Sequence, residues 1–405
     1  MRPAEAHDVS IRSSSAQIRA NLSPRQPTAR HKRPNVWLGK AIPLILLVFV
    51  WKGWELVLHR IIPHVAARNR RRGVVYAVTM HVALGMTLLS YATVYLHSRA
   101  PPAKKEPPKE VLERRVIFAC DDAGEPIRCY RDQCAGAWQG VRTRHCRDCG
   151  TCRPVFDHHC AFMDNCVDAE THKAFFCFVL YAAVVLGLGL APLLPAQLHA
   201  LRLVTAATWS TEALSISWWS RWYSWLGGPI WRYAGAVLLG YRQFHLSVAG
   251  STSTVDSKTA RLSEPKLSTL AITASASLIL LIAISMIVVV TRNAAKGLST
   301  VQVERARSYR LQVKREPLGI KSRYDARLQL WIPAIDTHDG KASGDILRVE
   351  PDFPLFDYGR AENMRRAFGN TWWKWLLPWL PGEYSDTEIR PSALAALRQR
   401  VVKAS

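Results

Sequence analysis

Long apolar blocks alternate with basic, polar stretches along this chain of 405 residues. A helix needs roughly 20 apolar residues to cross a hydrocarbon layer about 30 Å thick. Four segments reach that length, namely 36–58, 73–96, 174–198 and 267–290. A buried core helix is the alternative for any one of them, but four such segments with Trp and Tyr near their ends indicate membrane spans. The pattern therefore predicts an α-helical multi-pass membrane protein with four transmembrane helices.

The charge distribution predicts how these spans are oriented. The chain has 54 Lys and Arg against 31 Asp and Glu, a formal net charge of +23, which disfavours a simple acidic cytosolic enzyme. Lys and Arg are abundant in three regions, 1–35, 99–173 and 292–405. The positive-inside rule therefore places these regions in the cytosol. The arginines from Arg60 to Arg72 fall on the other face and break the rule. We keep this orientation because its opposite would put a Cys-rich loop in an oxidising lumen.

The spans divide the chain into five predicted regions. These are a basic cytosolic tail 1–35, transmembrane helices 1 and 2 in 36–98, a small cytosolic Cys-rich domain 99–173, transmembrane helices 3 and 4 with a Trp-rich lumenal loop in 174–291, and a cytosolic C-terminal tail 292–405. The many Trp residues in 199–266 indicate a segment that lies in the membrane interface. The Ser/Thr-rich stretch 247–263 is typical of a flexible linker. Trp372, Trp373, Trp375 and Trp379 predict a second interfacial anchor.

Candidate chemistry is concentrated in one short window. Nine Cys in the whole chain are too sparse for a disulfide scaffold, yet seven of them lie between Cys129 and Cys166. The window contains ten potential metal ligands: Cys129, Cys134, His145, Cys146, Cys149, Cys152, His158, His159, Cys160 and Cys166. Thiolates mixed with imidazoles favour zinc in a tetrahedral site, commonly with three Cys and one His. Two such sites use eight ligands and leave one Cys and one His over.

The pair that is most naturally left over is Cys160 with His158. Asp157 and His158 supply a carboxylate and an imidazole next to this thiol, which is the combination that activates a thiolate. Cys160 also lies shortly before the third span, close to the membrane surface. A zinc ion with four protein ligands cannot activate water, so the metals are expected to be structural and the thiol to be the reagent. The alternative is a zinc-stapled adaptor or RING-like ubiquitin ligase in which every Cys and His is structural.

The run Asp157, His158, His159, Cys160 resembles the DHHC zinc-finger protein S-palmitoyltransferases, especially fungal members. The match extends over about 129–176, with His145, Cys146, Cys149 and Cys152 before the run and Asn165, Cys166, Lys173 and Phe175 after it. Four spans with the Cys-rich domain between the second and third also agree with that family. In the C-terminal tail, Pro354, Phe356, Asp357, Gly359, Asn363 and Gly369 resemble a short motif of the same family, although an ordinary loop is an equal alternative.

The resemblance implies two interleaved structural zinc sites. Their expected ligands are Cys129, Cys134, His145 and Cys152 in site one, and Cys146, Cys149, His159 and Cys166 in site two. It further implies that Cys160 is acylated by palmitoyl-CoA, that His158 is its base and that Asp157 orients His158. The expected substrates are membrane-associated proteins with cytosolic cysteines, and the expected location is the endomembrane system or plasma membrane, with the active site in the cytosol. The lipid bilayer is an expected partner and nucleic acid is not.

Several positions depart from the family pattern. The spacing of Cys129 and Cys134 is wider than usual, which leaves Cys120 as an alternative ligand of site one. Asp168 and Thr171 stand where Gly and Asn are usual. The Thr-Thr-x-Glu element that follows the fourth span is present only loosely, in residues 299–302. These differences bear on reaction rate and substrate range more than on reaction type.

Overall fold

A computed structural model describes residues 36–97, 106–131, 134–249, 262, 264–315, 317, 327–334, 343–380, 382–385 and 388–404. Its helices are α1 Val36–Leu56, α2 Ile62–Arg68, α3 Arg70–Tyr95, α4 Lys109–Leu112, α5 His172–Ser210, α6 Glu212–Leu214, α7 Gly228–Ala249, α8 Leu267–Ala295, α9 Thr300–Arg315, α10 Arg360–Phe368 and α11 Pro391–Ala404. Its strands are β1 Phe118–Ala119, β2 Arg144–Cys146, β3 Thr151–Arg153, β4 His158–Cys160, β5 Asn165–Val167, β6 Leu328–Pro333 and β7 Gly344–Val349. The predicted tail 1–35 and most of the predicted linker 247–263 lie outside the described residues.

Within the described residues, four helical stretches are long and apolar enough to cross a membrane. They are Ala41–Arg68, Arg70–Tyr95, His172–Ser210 and Leu267–Ala295. This confirms the predicted fold class, a multi-pass helical protein with four spans. The first stretch is longer than the sequence pattern indicates, because α1 continues through a π-helical turn into α2. Asn69 alone separates α2 from α3, and its side chain accepts a hydrogen bond from the backbone N–H of Arg72 at 3.0 Å, which caps α3.

The third span is also longer than predicted. Helix α5 runs for 39 residues to Ser210, and the Trp-rich segment that follows it is largely helical rather than a loop. Helix α7 packs back on the end of α5, where a Cβ atom on Gly240 would lie only 2.4 Å from a methyl carbon of Val204. The indole N–H of Trp219 donates to the hydroxyl of Thr208 at 3.2 Å. Placement of this segment in the membrane interface remains a prediction.

Two apolar clusters mark opposite ends of the helical bundle. The first joins the second half of span one to the middle of span three and to Leu262, which lies shortly before span four, through Leu56, Ile61, Leu193 and Leu262. The second joins the C-terminal ends of α3 and α8 to the start of α5, and it includes Cys160. The Arg-rich hairpin around Asn69 therefore lies at the end of the bundle away from the Cys-rich domain. This is the up-and-down arrangement that an even number of spans requires.

The C-terminal segment packs against the Cys-rich region. Strand β6 pairs antiparallel with β1, with Phe118 opposite Trp331, and β7 pairs antiparallel with β6. The three strands cover a small core to which the last helix contributes Leu397, which is fully buried. The described part of the predicted tail thus packs as part of this domain. The boundary predicted at residue 292 remains untested.

Candidate functional site: two metal clusters and a separate thiol

Strand alternation in the first hairpin directs its ligands to two different places. Strands β2 and β3 are antiparallel, with His145 opposite Cys152 and Cys146 opposite Thr151. Successive residues of a strand point to opposite faces, so His145 and Cys152 share one face while Cys146 points to the other. The predicted interleaving of the two metal sites follows from this register.

The first donor cluster contains Cys129, His145 and Cys152, whose ligand atoms lie within 4.8 Å of one another. Nδ1 of His145 lies 3.5 Å from Sγ of Cys129 and 3.8 Å from Sγ of Cys152. Cys134 borders the same cluster, since its Sγ accepts a hydrogen bond from the backbone N–H of Cys152 at 3.2 Å. Three of the four predicted ligands therefore converge, with the fourth beside them.

The second donor cluster contains all four predicted residues, Cys146, Cys149, His159 and Cys166. Strands β4 and β5 place His159 opposite Cys166 on one face of the second hairpin. Nδ1 of His159 lies 3.4 Å from Sγ of Cys149 and 3.7 Å from Sγ of Cys146. Sγ of Cys166 lies 3.3 Å from Sγ of Cys149. Each cluster can hold a metal ion.

The spacing of these donors fits a tetrahedral metal ion. Zinc bonds of about 2.3 Å to sulfur and 2.0 Å to nitrogen place neighbouring ligand atoms about 3.5–3.8 Å apart. The measured separations of 3.3–4.0 Å bracket that range. In the described residues all nine Cys are free thiols, so no disulfide competes for the donors. The residues that are present therefore fit the group that the sequence predicts.

The other face of the second hairpin carries the predicted reagent. His158 and Cys160 flank His159 in β4, so alternation turns both away from the second cluster. The Cys160 side chain packs among residues from the ends of three spans, including Val94 of α3, Phe175 of α5 and Val290 of α8. It is 6% exposed. The structure thus separates Cys160 from both metal clusters and places it against the apolar end of the bundle.

Asp157, His158 and Cys160 form a connected chain of polar groups. Nδ1 of His158 lies 2.8 Å from Oδ2 of Asp157, so Nε2 is the ring nitrogen that the carboxylate does not engage. Burial alone would lower the pKa of His158, but its hydrogen bonds to Asp157 and Cys160 outweigh burial and raise the pKa to about 9. Burial likewise opposes ionisation of Asp157, yet the hydrogen bond from His158 leads the effects that lower its pKa to about 2.

Thr300 completes this site from outside the window. Its backbone N–H donates to Oδ1 of Asp157 at 2.6 Å and its hydroxyl donates to Oδ2 at 2.9 Å. Thr300 is the first residue of α9 because Ser299 and Gln302 form a capping box, in which each side chain accepts from the other's backbone N–H. The loosely matching element after the fourth span therefore caps α9 and contacts Asp157 in this structure. Gln302 fills the place that Glu would take in the capping box.

The side chains of Asn165 and Tyr91 attach the hairpin of β4 and β5 to the second span. Asn165 is fully buried, and its amide donates to the carbonyl oxygens of Val94 at 2.9 Å and His97 at 3.0 Å. These carbonyls are at the C-terminal end of α3, where helical acceptors have no partner within the helix. The hydroxyl of Tyr91 donates to the carbonyl of Phe162 at 3.2 Å. Cys160, which pairs with Asn165 across the strands, is thereby fixed relative to the bundle.

Asp168 and Thr171, which stand where the DHHC family usually has Gly and Asn, hydrogen-bond to each other after β5. Oδ1 of Asp168 accepts from the backbone N–H groups of Glu170 at 3.1 Å and Thr171 at 3.2 Å, and lies 3.0 Å from the Thr171 hydroxyl. That hydroxyl is also 3.1 Å from the carbonyl oxygen of Cys166. The pair therefore builds its own capped turn between β5 and α5.

The remaining cysteines lie away from the clusters. Cys120 packs with Val111, Phe118 and Trp331 rather than with Cys129, and burial raises the pKa of its thiol to about 12. The alternative that Cys120 replaces a ligand of site one is therefore not supported by the geometry. Cys177 is fully buried in α5, with its Sγ 3.2 Å from the carbonyl oxygen of Trp375, as expected for a packing residue.

The C-terminal motif contacts the end of the fourth span. The amide of Asn363 donates to the carbonyl of Ala295 at 3.0 Å and to Oδ1 of Asp357 at 2.7 Å. A Cβ atom on Gly297 would lie 2.2 Å from the carbonyl oxygen of Phe356, so only glycine allows this close approach. The motif thus holds the C-terminal segment beside Thr300 rather than forming an ordinary loop.

Comparison with known proteins agrees with this geometry. Residues 127–306 match the family model for DHHC palmitoyltransferases. These residues form a DHHC palmitoyltransferase domain. The domain is similar to probable protein S-acyltransferase 15 of Arabidopsis thaliana (47% identity over 53 residues, 13% of this chain and 20% of the relative). It is also similar to palmitoyltransferase erf2 of Emericella nidulans (41% over 61 residues, 14% and 10%) and to palmitoyltransferase ZDHHC23 of Homo sapiens (40% over 55 residues, 13% and 13%).

These alignments span at most a fifth of the length of the three relatives. Likeness to fungal as well as plant and animal DHHC proteins agrees with the resemblance seen in the sequence. The family model itself covers the Cys-rich domain and the spans that follow it, and it ends within α9. The activity of the whole chain is therefore inferred from its own site.

Proposed function

We propose that this protein is a protein-cysteine S-palmitoyltransferase that carries the acyl group on Cys160. The observation that carries the proposal is the register of β4 and β5. It directs His159 and Cys166 to a metal cluster and leaves His158 and Cys160 on the opposite face, against the ends of three spans. A membrane-anchored adaptor or RING-like ligase would need every Cys to be structural, whereas Cys160 lies outside both donor clusters.

The first half-reaction loads the enzyme. The Cys160 thiolate attacks the carbonyl carbon of a long-chain acyl-CoA thioester, and a bond forms between Sγ and that carbon. The bond to the CoA sulfur breaks, and CoA leaves as a thiol after taking a proton from His158. Asp157, held by Thr300 and paired with His158, orients the imidazole and stabilises its charge.

The second half-reaction transfers the chain. The thiol of a protein substrate gives its proton to His158 and attacks the acyl carbon, and Cys160 leaves as a thiolate. One thioester is exchanged for another, so no ATP is needed. We propose membrane-associated proteins with cytosolic cysteines as substrates, because the thiol lies at the end of the bundle where the second and fourth spans finish and the third begins. The endomembrane system or the plasma membrane is the proposed location.

We propose two zinc ions as structural cofactors. Site one would be held by Cys129, Cys134, His145 and Cys152, and site two by Cys146, Cys149, His159 and Cys166. When bound, each ion supplies a closed tetrahedral crosslink that contributes folding energy. The hairpins then hold Cys160 and His158 at fixed positions.

The test is acylation of purified protein with labelled palmitoyl-CoA. Wild type is expected to form a hydroxylamine-sensitive adduct, and Cys160→Ser is expected to form none while retaining two zinc ions. A Cys160→Ser variant that takes up the same label, or a wild type that takes up none while binding two zinc ions, would contradict the proposal. The second of these results would favour the adaptor.

A further inference from the structure

A buried lysine without a counterion lies beside the catalytic domain. Lys173, the second residue of α5, is 1% exposed, and it has neither a hydrogen bond nor an ion pair within the part of the chain that the structure describes. Lysine is almost never fully buried unless it is paired, because an isolated buried charge is costly. Helix geometry of 100° per residue places it across the first turn from Phe175, whose ring contacts His158. Lys173 therefore faces away from the reacting thiol.

The C-terminal segment forms the surroundings of this lysine. A Cβ atom on Gly369 would lie 3.8 Å from Nζ of Lys173 and 3.1 Å from Cβ of Lys374, so the glycine leaves room where the two lysines approach. The indole N–H of Trp375 donates to the carbonyl oxygen of Gly369 at 2.8 Å. Two lysines are thus brought together under a loop that offers no carboxylate to either of them.

An open groove of about 520 Å³ adjoins the same loop. It is lined by Arg360, Ala361, Met364, Arg365, Asn370 and Trp375. Two exposed guanidinium groups lie at its rim, and its floor is apolar. The guanidinium of Arg365 lies 3.6 Å from the carboxylate of Glu362, and the same carboxylate pairs with Arg366 at 3.3 Å. Arg360 has no ion pair within the described residues. The local excess of positive charge is therefore not neutralised by the protein.

We propose that Lys173, Lys374, Arg360 and Arg365 bind the phosphate headgroup of an anionic phospholipid. Lys173 lies where the third span begins, which is the height of a headgroup in a bilayer. The neighbouring Trp372 and Trp373 are 74% and 47% exposed, as expected for side chains in the membrane interface. The apolar floor of the groove suits the glycerol and upper acyl chain of such a lipid. This site would tether the C-terminal segment to the membrane next to Cys160, and it does not depend on the acyl transfer proposed above.

The experiment titrates the purified full-length protein with dioctanoyl phosphatidic acid and, separately, with dioctanoyl phosphatidylcholine, and follows tryptophan fluorescence and melting temperature. Wild type is expected to bind the anionic lipid and to be stabilised by it, with no response to the zwitterionic lipid. Lys173→Met keeps the length of the side chain and removes the charge, and is expected to weaken binding about tenfold or more. Arg307→Met, which removes an exposed arginine of α9 (70% exposed), is the matched control and should bind as wild type does.

Three results would overturn the proposal. Equal lipid binding by wild type and Lys173→Met, together with an equal KM for palmitoyl-CoA, would mean that the lysine is buried for packing alone. Unchanged lipid binding, combined with a higher KM of Lys173→Met for palmitoyl-CoA but not for phosphate-free palmitoyl-pantetheine, would assign the site to the donor's phosphates instead. If Lys173→Met does not fold, the double variant Arg360→Gln/Arg365→Gln changes only exposed side chains, and a lipid affinity unchanged from wild type would reject the site. A several-fold loss of lipid affinity in this double variant would support the proposed site.

Discussion

The two short hairpins of the Cys-rich domain, β2–β3 and β4–β5, repeat the same spacing of His and Cys but place their cysteines in different surroundings. His145, Cys146, Cys149 and Cys152 recur at an offset of 14 residues as His159, Cys160, Met163 and Cys166. The register agrees, because each hairpin pairs its His with its last Cys. The turns agree too, since Gly150 and Asp164 occupy corresponding positions, with φ of 67° and 45°.

The difference between them lies at one turn residue. In the first hairpin Cys149 joins Cys146, and both become ligands of site two. In the second hairpin the corresponding residue is Met163, which is fully buried with Cys160 in the apolar cluster at the end of the spans. Without a neighbouring thiol in the turn, Cys160 cannot complete a chelating pair. Replacement of a potential ligand by an apolar side chain therefore leaves Cys160 outside the donor clusters, as the proposed nucleophile role requires.

The sharpest test of this comparison exchanges the two corresponding thiols. Cys146→Ser removes a ligand of site two and should lower the zinc content from two ions to one, with loss of folded protein, because metal binding contributes folding energy. Cys160→Ser should keep both ions and the melting temperature, and should lose the acyl adduct completely. Metal analysis and hydroxylamine-sensitive labelling measure the two effects. Equal zinc loss in both variants would show that the hairpins are not functionally distinct.

A second variant would make the second hairpin like the first. Met163→Cys places a thiol in the turn beside Cys160, where the two can share a metal ion or oxidise to a disulfide. The rate of autoacylation is expected to fall about tenfold or more, since a thiolate bound to metal or sulfur is not free to attack. The rate is measured with labelled palmitoyl-CoA, with and without chelator and reductant.

Met163→Leu is the control for this change because it conserves volume and adds no thiol. It should retain a rate close to that of wild type. A Met163→Cys protein that is as active as Met163→Leu would show that the turn residue does not decide the fate of Cys160.

A third prediction concerns the contact between Asp157 and Thr300, which has no counterpart in the first hairpin. Asp157 precedes β4 and is held by Thr300, whereas the residue at the corresponding position of the first hairpin is Thr143, and no imidazole there needs orientation. Thr300→Val removes the hydroxyl but keeps the backbone donor, and should lower the acylation rate about three- to tenfold, as expected for loss of one hydrogen bond to a charged group. Thr300→Ser should retain most of the rate. If both variants match wild type, the contact does not contribute to catalysis.

The sequence predicted the parts of the site that depend on local spacing. The four spans and the four donors that converge in the second cluster could be read from apolar run lengths and from the Cys and His positions, whereas the role of Cys160 stays a prediction. The copy relation between the hairpins was not apparent, because the donors form one continuous run until strand register assigns each to a face. Site one was predicted less completely, since Cys134 reaches the cluster through a segment with unusual spacing.

Long-range packing accounts for what the sequence could not predict. Thr300 is 143 residues from Asp157 in sequence, and its role depends on the fourth span returning the chain to the Cys-rich domain. The pairing of β1 with β6 joins segments that are about as far apart, and no local pattern specifies such a partner. The helical course of the Trp-rich segment was missed because its aromatic residues suit an interface and a packed helix equally.

The smallest effect is expected on the stability of the second hairpin, whose strands contribute ligands to only one metal site. Strands β2 and β3 supply ligands to both sites, whereas β4 and β5 supply ligands only to site two, so the second hairpin depends more on hydrogen bonds. Asp168→Ala removes the acceptor of the turn that follows β5 and should lower the melting temperature by about 2–5 °C, which corresponds to about 1–2 kcal/mol. Asp352→Ala, at an exposed position, is the control and should melt as wild type does. Equal melting temperatures for the two variants would mean that the Asp168 turn does not stabilise the second hairpin.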